Sequence, residues 1–67
     1  MILPNNDSYV LLVQDGTYFV EYLLNELILS DSITEAMTFD NYDTAIKFKQ
    51  MLHERCKLNC SVNTYIY

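Results

Sequence analysis

Tyr9-Val10-Leu11-Leu12-Val13-Gln14-Asp15-Gly16-Thr17-Tyr18-Phe19-Val20-Glu21-Tyr22-Leu23-Leu24 decides the fold of this chain. Two runs of β-branched, aromatic and apolar residues, Tyr9 to Val13 and Thr17 to Leu24, flank Asp15-Gly16, which is a hairpin pattern. Gly16 is the only glycine of the 67 residues. It stands where a tight turn needs a positive φ, which a residue without Cβ adopts at no steric cost.

Working outward, Asn25-Glu26 interrupts the apolar pattern before Leu27-Ile28-Leu29, which either extends the sheet or turns over its edge. Ser32-Ile33-Thr34-Glu35 has capping-box spacing, in which a hydroxyl and a carboxylate satisfy each other's helix-start amides. No long periodic run follows it, so a turn or two of helix is expected. Met37-Thr38-Phe39 reads as a short strand or as an apolar lead-in to the next helix. From Asn41 to about Cys56, the residues Ala45, Phe48, Leu52 and Cys56 recur at helical spacing with Met51 beside them, giving one apolar face. Asp40 or Asn41 can cap this helix, Asp43 lies in its first turn, and Arg55 and Lys57 lie at its far end, as the helix dipole favours. Ser61 to Tyr67 alternates as a strand does, with Val62, Thr64 and Ile66 on one side and Asn63, Tyr65 and Tyr67 on the other. The expected fold is a single α+β domain, residues 1 to 67. It is a two-layer sandwich in which one main helix covers one face of a small, mostly antiparallel sheet made of the hairpin and the C-terminal strand. Phe48 and Leu52 are the expected main helix contacts to that sheet. A domain this small buries only about 60% of the surface its unfolded chain exposes, so its core is thin.

Composition narrows the function. A lone glycine rules out the Gly-rich phosphate loops and the G-x-S-x-G elbow, so no nucleotide cofactor and no such hydrolase is expected. His53, Cys56 and Cys60 are the best metal-like grouping, yet they fall short of the four ligands of a structural zinc site or the three and a water of a catalytic one. We read Cys56 as a core residue, His53 as solvated and both cysteines as thiols, as in a reducing cytosol. Asp40 and Asp43 read as helix-start carboxylates rather than an acid/base pair. The N-terminal residues lack the features of a secretion signal, and the longest apolar run, Tyr9 to Val13, is far short of the roughly 20 residues that span a bilayer. No export and no membrane partner are expected.

Charge is distributed unevenly. Residues 1–46 hold eight carboxylates and no base, whereas residues 47–67 hold Lys47, Lys49, Arg55 and Lys57 against one carboxylate. Such asymmetry steers partners of opposite sign. The net charge of −5 argues against direct nucleic-acid binding, which draws its affinity from phosphate neutralisation. Instead Glu21, Glu26, Asp31, Glu35, Asp40 and Asp43 are candidates to imitate a phosphate backbone before a protein with a basic surface, the alternative being a merely solvated face. Tyr65 and Tyr67 add amphipathic contact area on the sheet face opposite the helix, although tyrosines also simply favour strands.

The stretch Leu29-Ser30-Asp31-Ser32-Ile33-Thr34-Glu35-Ala36-Met37-Thr38-Phe39-Asp40, followed by Asp43-x-Ala45-x-x-Phe48, resembles an arrangement in small bacteriophage proteins of uncharacterised function. There a hairpin on an Asp-Gly turn precedes an Ile-x-x-Ala-x-x-Phe turn, a short helix with Ala and Phe inward, and a closing strand. The likeness covers about residues 9 to 66 and consists of core and turn positions, so it transfers no catalytic or ligand residue. Some small acidic phage proteins of this size, including anti-CRISPR proteins, inhibit host nucleases by direct binding. The resemblance therefore implies a non-enzymatic inhibitor or adaptor, encoded by a phage or mobile element and acting in the bacterial cytoplasm on a nucleic-acid-processing host protein. The alternative is a structural or assembly homodimer pairing through its sheet. The Tyr-rich C-terminus and the apolar segment Leu23 to Leu29 depart from the pattern and are candidate binding features in their own right.

Overall fold

A computed structural model describes residues 7–66. In it, β1 (Asp7–Val13) and β2 (Tyr18–Leu23) form the expected antiparallel hairpin. Val13 and Thr17 close a three-residue loop, Gln14-Asp15-Gly16. The Val13 amide donates to the Thr17 carbonyl (2.7 Å) and the Gly16 amide to the Val13 carbonyl (2.9 Å), which is a turn followed by a left-handed residue, with Gly16 at φ 94°. Asp15 locks the loop from outside, its carboxylate accepting the Thr17 amide (3.0 Å) and hydroxyl (2.6 Å).

Leu27-Ile28-Leu29 extends the sheet. β3 (Glu26–Ser30) folds back on β2 through Leu24-Asn25, both at positive φ, 52° and 64°, as the central pair of a type I′ turn requires. Asn tolerates that region, whereas Leu occupies it at a cost of roughly 1–2 kcal/mol. The pairs Leu23↔Glu26, Tyr22↔Leu27 and Glu21↔Ile28 run from the tip to a bulge between Phe19 and Glu21, after which Phe19 faces Leu29. β4 (Cys60–Ile66) pairs with β1 along seven registers, from Asp7↔Ile66 to Val13↔Cys60, giving the order β3-β2-β1-β4, antiparallel throughout.

Residues 37–39 enter the gap between β1 and β2. The Met37 amide donates to the Phe19 carbonyl (3.0 Å), and Tyr9 and Phe39 exchange two bonds of 2.8 Å. Met37 to Phe39 is thus both a minimal strand and the apolar lead-in to the helix. The preceding 3₁₀ turn, Ile33–Glu35, corrects the capping-box reading: the Ser32 side chain caps nothing. Its hydroxyl pairs with that of Thr34 (2.7 Å), while the Glu35 carboxylate accepts the Ser30 hydroxyl. Ser30 displaces the reciprocal contact, its Oγ accepting the Ser32 amide (3.1 Å) that Glu35 would otherwise accept while donating to the Glu35 carboxylate.

The helix α1 (Tyr42–Cys56) starts at Asn41, whose Oδ1 accepts the Asp43 amide (2.7 Å), so Asn41 and not Asp40 is the cap. It ends in an αL cap on Lys57, at φ 56°, with the Lys57 amide donating to the His53 carbonyl (3.0 Å) and the Leu58 amide to the Leu52 carbonyl (3.3 Å). Leu11, Phe19, Phe39, Ala45 and Leu52 form the buried core. Leu52 is fully enclosed as expected. Phe48 is only half-buried but joins Phe39 and Phe19, with ring centroids 5.0 and 6.2 Å away. Among the described residues no helix is long and apolar enough to cross a membrane.

Candidate protein-docking face

The helix occupies one face of the sheet, and strand alternation sorts the β2–β3 hairpin accordingly. Phe19, Tyr22, Leu27 and Leu29 pack toward the core. Glu21, Leu23, Glu26 and Ile28 occupy the opposite face, as the pairs Glu21↔Ile28 and Leu23↔Glu26 require. Burial agrees: Leu23 is 60% exposed, Ile28 41%, and Leu24 at the tip 91%. The remaining exposed large apolar side chain among the described residues, Tyr42, meets Tyr9 edge-on at 5.6 Å. The β2–β3 hairpin therefore presents three aliphatic side chains interleaved with two exposed carboxylates. Its tip is held by the Tyr22 hydroxyl donating to Asn25 Oδ1 (3.4 Å).

The sequence candidates divide around this face. Glu21 and Glu26 belong to it. Asp31 is exposed directly after β3, and Glu35 in the 3₁₀ turn is tied to Ser30, so both lie at the hairpin's base, away from the Leu24-Asn25 tip. Asp40 and Asp43 are exposed at the start of α1 and form a separate group. Tyr65 is half-buried on β4, at the sheet edge opposite β3, roughly three strand spacings of ~4.8 Å away. Tyr67 lies outside the described residues. The acidic and tyrosine positions are thus not one continuous surface. Sequence reading flagged Leu23 to Leu29 as unusual without assigning it a face. The recoverable signal was Asn25, which marks a turn and, through strand alternation, points Leu23 and Ile28 outward.

A second feature is a depression of 460 Å³ between the C-terminal half of α1 and the start of β4, lined by residues including Lys49, His53, Glu54 and Cys60. Burial pushes the Cys60 thiol up, a shift that Lys49 opposes and Cys56 reinforces. A thiol so held is a weak nucleophile and a weak ligand. Both cysteines are free, and no group of three or more His, Cys, Asp or Glu among the described residues is arranged to hold a metal.

The chain matches no protein-family model, no curated protein and no solved structure.

Proposed function

We propose that this protein is a non-enzymatic inhibitor or adaptor, of phage or mobile-element origin, that docks the outer face of its β2–β3 hairpin onto a host nucleic-acid-processing protein, such as a CRISPR nuclease, in the bacterial cytoplasm. One observation carries the reading: Leu23, Leu24 and Ile28 are exposed on the same hairpin face and tip that bear Glu21 and Glu26. Leu24, moreover, sits at a positive φ that disfavours leucine by roughly 1–2 kcal/mol. Folding alone would favour Asn or Gly there, so an exposed leucine retained against backbone preference fits an anchor for a partner's apolar pocket. The flanking carboxylates fit a basic rim such as a nucleic-acid groove supplies, and they speed encounter more than they add affinity. The phage origin and the kind of target rest on the sequence resemblance and the acidic balance.

Affinity capture from bacterial lysate with wild type, Leu24→Asn and Glu21→Gln/Glu26→Gln tests this. The expected result is a nucleic-acid-processing enzyme that wild type retains and inhibits. Leu24→Asn should lose it at every salt concentration, and the double glutamine variant should associate more slowly, most visibly at low salt. Retention of the same enzyme by all three proteins would remove the hairpin face from the mechanism.

A further inference from the structure

The two edges of the sheet differ in a way the hairpin does not explain. β3 is short, begins with Glu26, is followed by Asp31, and faces a bulge in its pairing with β2; charges, brevity and bulges are the devices that keep an edge from pairing with another chain. β4 has none of them. It runs seven residues, Cys60–Ile66, in unbroken register with β1, and residues 58–67 contain no charged side chain and no proline.

The outward hydrogen-bonding groups of β4 follow from bonds made elsewhere. Tyr9 spends its amide and carbonyl on Phe39, and Val13 spends its own on Thr17 and Gly16. Tyr9↔Thr64 and Val13↔Cys60 are therefore the non-bonded pairs of the β1–β4 ladder, and by alternation so is Leu11↔Val62. Cys60, Val62 and Thr64 consequently direct their backbone N–H and C=O away from β1, along the edge.

We infer that β4 is a self-pairing edge, to which a second copy of this chain adds antiparallel about Asn63. This register alone engages the whole strand, bonding Val62 to the copy's Thr64 and Cys60 to its Ile66, with Asn63 facing Asn63. Self-complementarity selects a second copy as the occupant, because in this register the outward groups of β4 meet the same set on the copy, and charge does not oppose it. Identical chains of net charge −5 repel, yet this edge brings no like charges into opposition. Glu21 on β2 and Glu26 on β3 lie two and three strands away from β4, so at ~4.8 Å per strand the acidic hairpins of the two copies stand at least about 24 Å apart, well beyond the Debye length of about 8 Å in physiological salt. The product is a continuous sheet with both helices on one face and a docking hairpin at each end. A contact confined to one strand edge is smaller than a standard interface of ~1,200–2,000 Å², so the dimer forms progressively with concentration.

Sedimentation velocity and amide exchange, followed from low micromolar to millimolar protein, test this. Wild type should pass from monomer to dimer while the Val62 and Thr64 amides slow in step. Thr64→Pro removes an outward N–H and leaves the β1 ladder intact. Asn63→Lys sets two like charges directly opposite each other only in this register. Each should raise the dissociation constant severalfold, about two- to fivefold for Asn63→Lys and more for Thr64→Pro, which removes two bonds of the symmetric pair, and if Thr64→Pro misfolds, Asn63→Lys decides. A strict monomer, a dimer indifferent to the folded variants, or protection of Val62 and Thr64 that does not change with concentration would overturn the inference.

Discussion

The β1–β4 ladder and the β2–β3 hairpin are built from similar residues and put to opposite uses. On β1, Val10 and Leu11 are fully buried and Val13 nearly so, and even Ser8 is buried. In the second hairpin only Phe19 is fully enclosed, while Leu23, Leu24 and Ile28 face outward. Two of the three non-glycine residues at positive φ among the described residues, Leu24 and Asn25, are at its tip. A thin core has few spare aliphatic side chains, and three are placed outside it here, Leu24 on a strained turn, as the proposed docking role requires.

The widest test of this contrast lies within one strand. Phe19→Ala should cost about 3–5 kcal/mol in urea unfolding, much of what a domain this size possesses. Leu23→Ala, four residues along the same strand but on the other face, should change stability by less than about 0.5 kcal/mol. Similar losses would mean that the outer face is covered within the monomer. On the helix, Phe48→Ala should cost about 3 kcal/mol, the lower end for a phenylalanine because its ring is half-buried. Lys49→Ala should cost little.

Next in size are two substitutions that should stabilise. Leu24→Asn relieves a left-handed leucine and should raise stability by about 1 kcal/mol while abolishing capture of the partner, a reversal of sign between folding and binding. Lys57→Gly acts at the other such site, the helix C-terminus, and should gain about as much with binding unchanged. Loss of binding in both variants would show that the hairpin has no special role.

Much of this division is legible in the sequence, and the failures have physical causes. Gly16 and the Ala45-Phe48-Leu52 spacing marked the first hairpin and the helix because each is a local signal. The insertion of residues 37–39 between β1 and β2 was readable only as two alternatives, since its bonds to Phe19 and Tyr9 are set by tertiary structure. The second hairpin was obscured because its turn begins with Leu24, a residue that turn chemistry disfavours. The acidic residues were counted correctly but not placed, since their distribution over hairpin and helix start depends on chain reversals that charge does not encode.

The smallest expected effect concerns Asp15 at the first hairpin, where turn and side chain agree. The Thr17 hydroxyl first, and its amide second, hold the Asp15 carboxyl below its ordinary value, because both donate to the charged form. A carboxyl whose folded pKa is depressed contributes stability above its unfolded pKa, and the contribution is lost as pH falls through the folded value. The side chain is fully exposed, so the slope should be shallow. Titrating the Asp15 carboxyl carbon by NMR should give a midpoint below 3.8, the ordinary value. In Thr17→Val, which lacks the hydroxyl but keeps the amide, the midpoint should rise most of the way back with the hairpin intact. No movement would mean that the backbone amide alone holds the carboxylate.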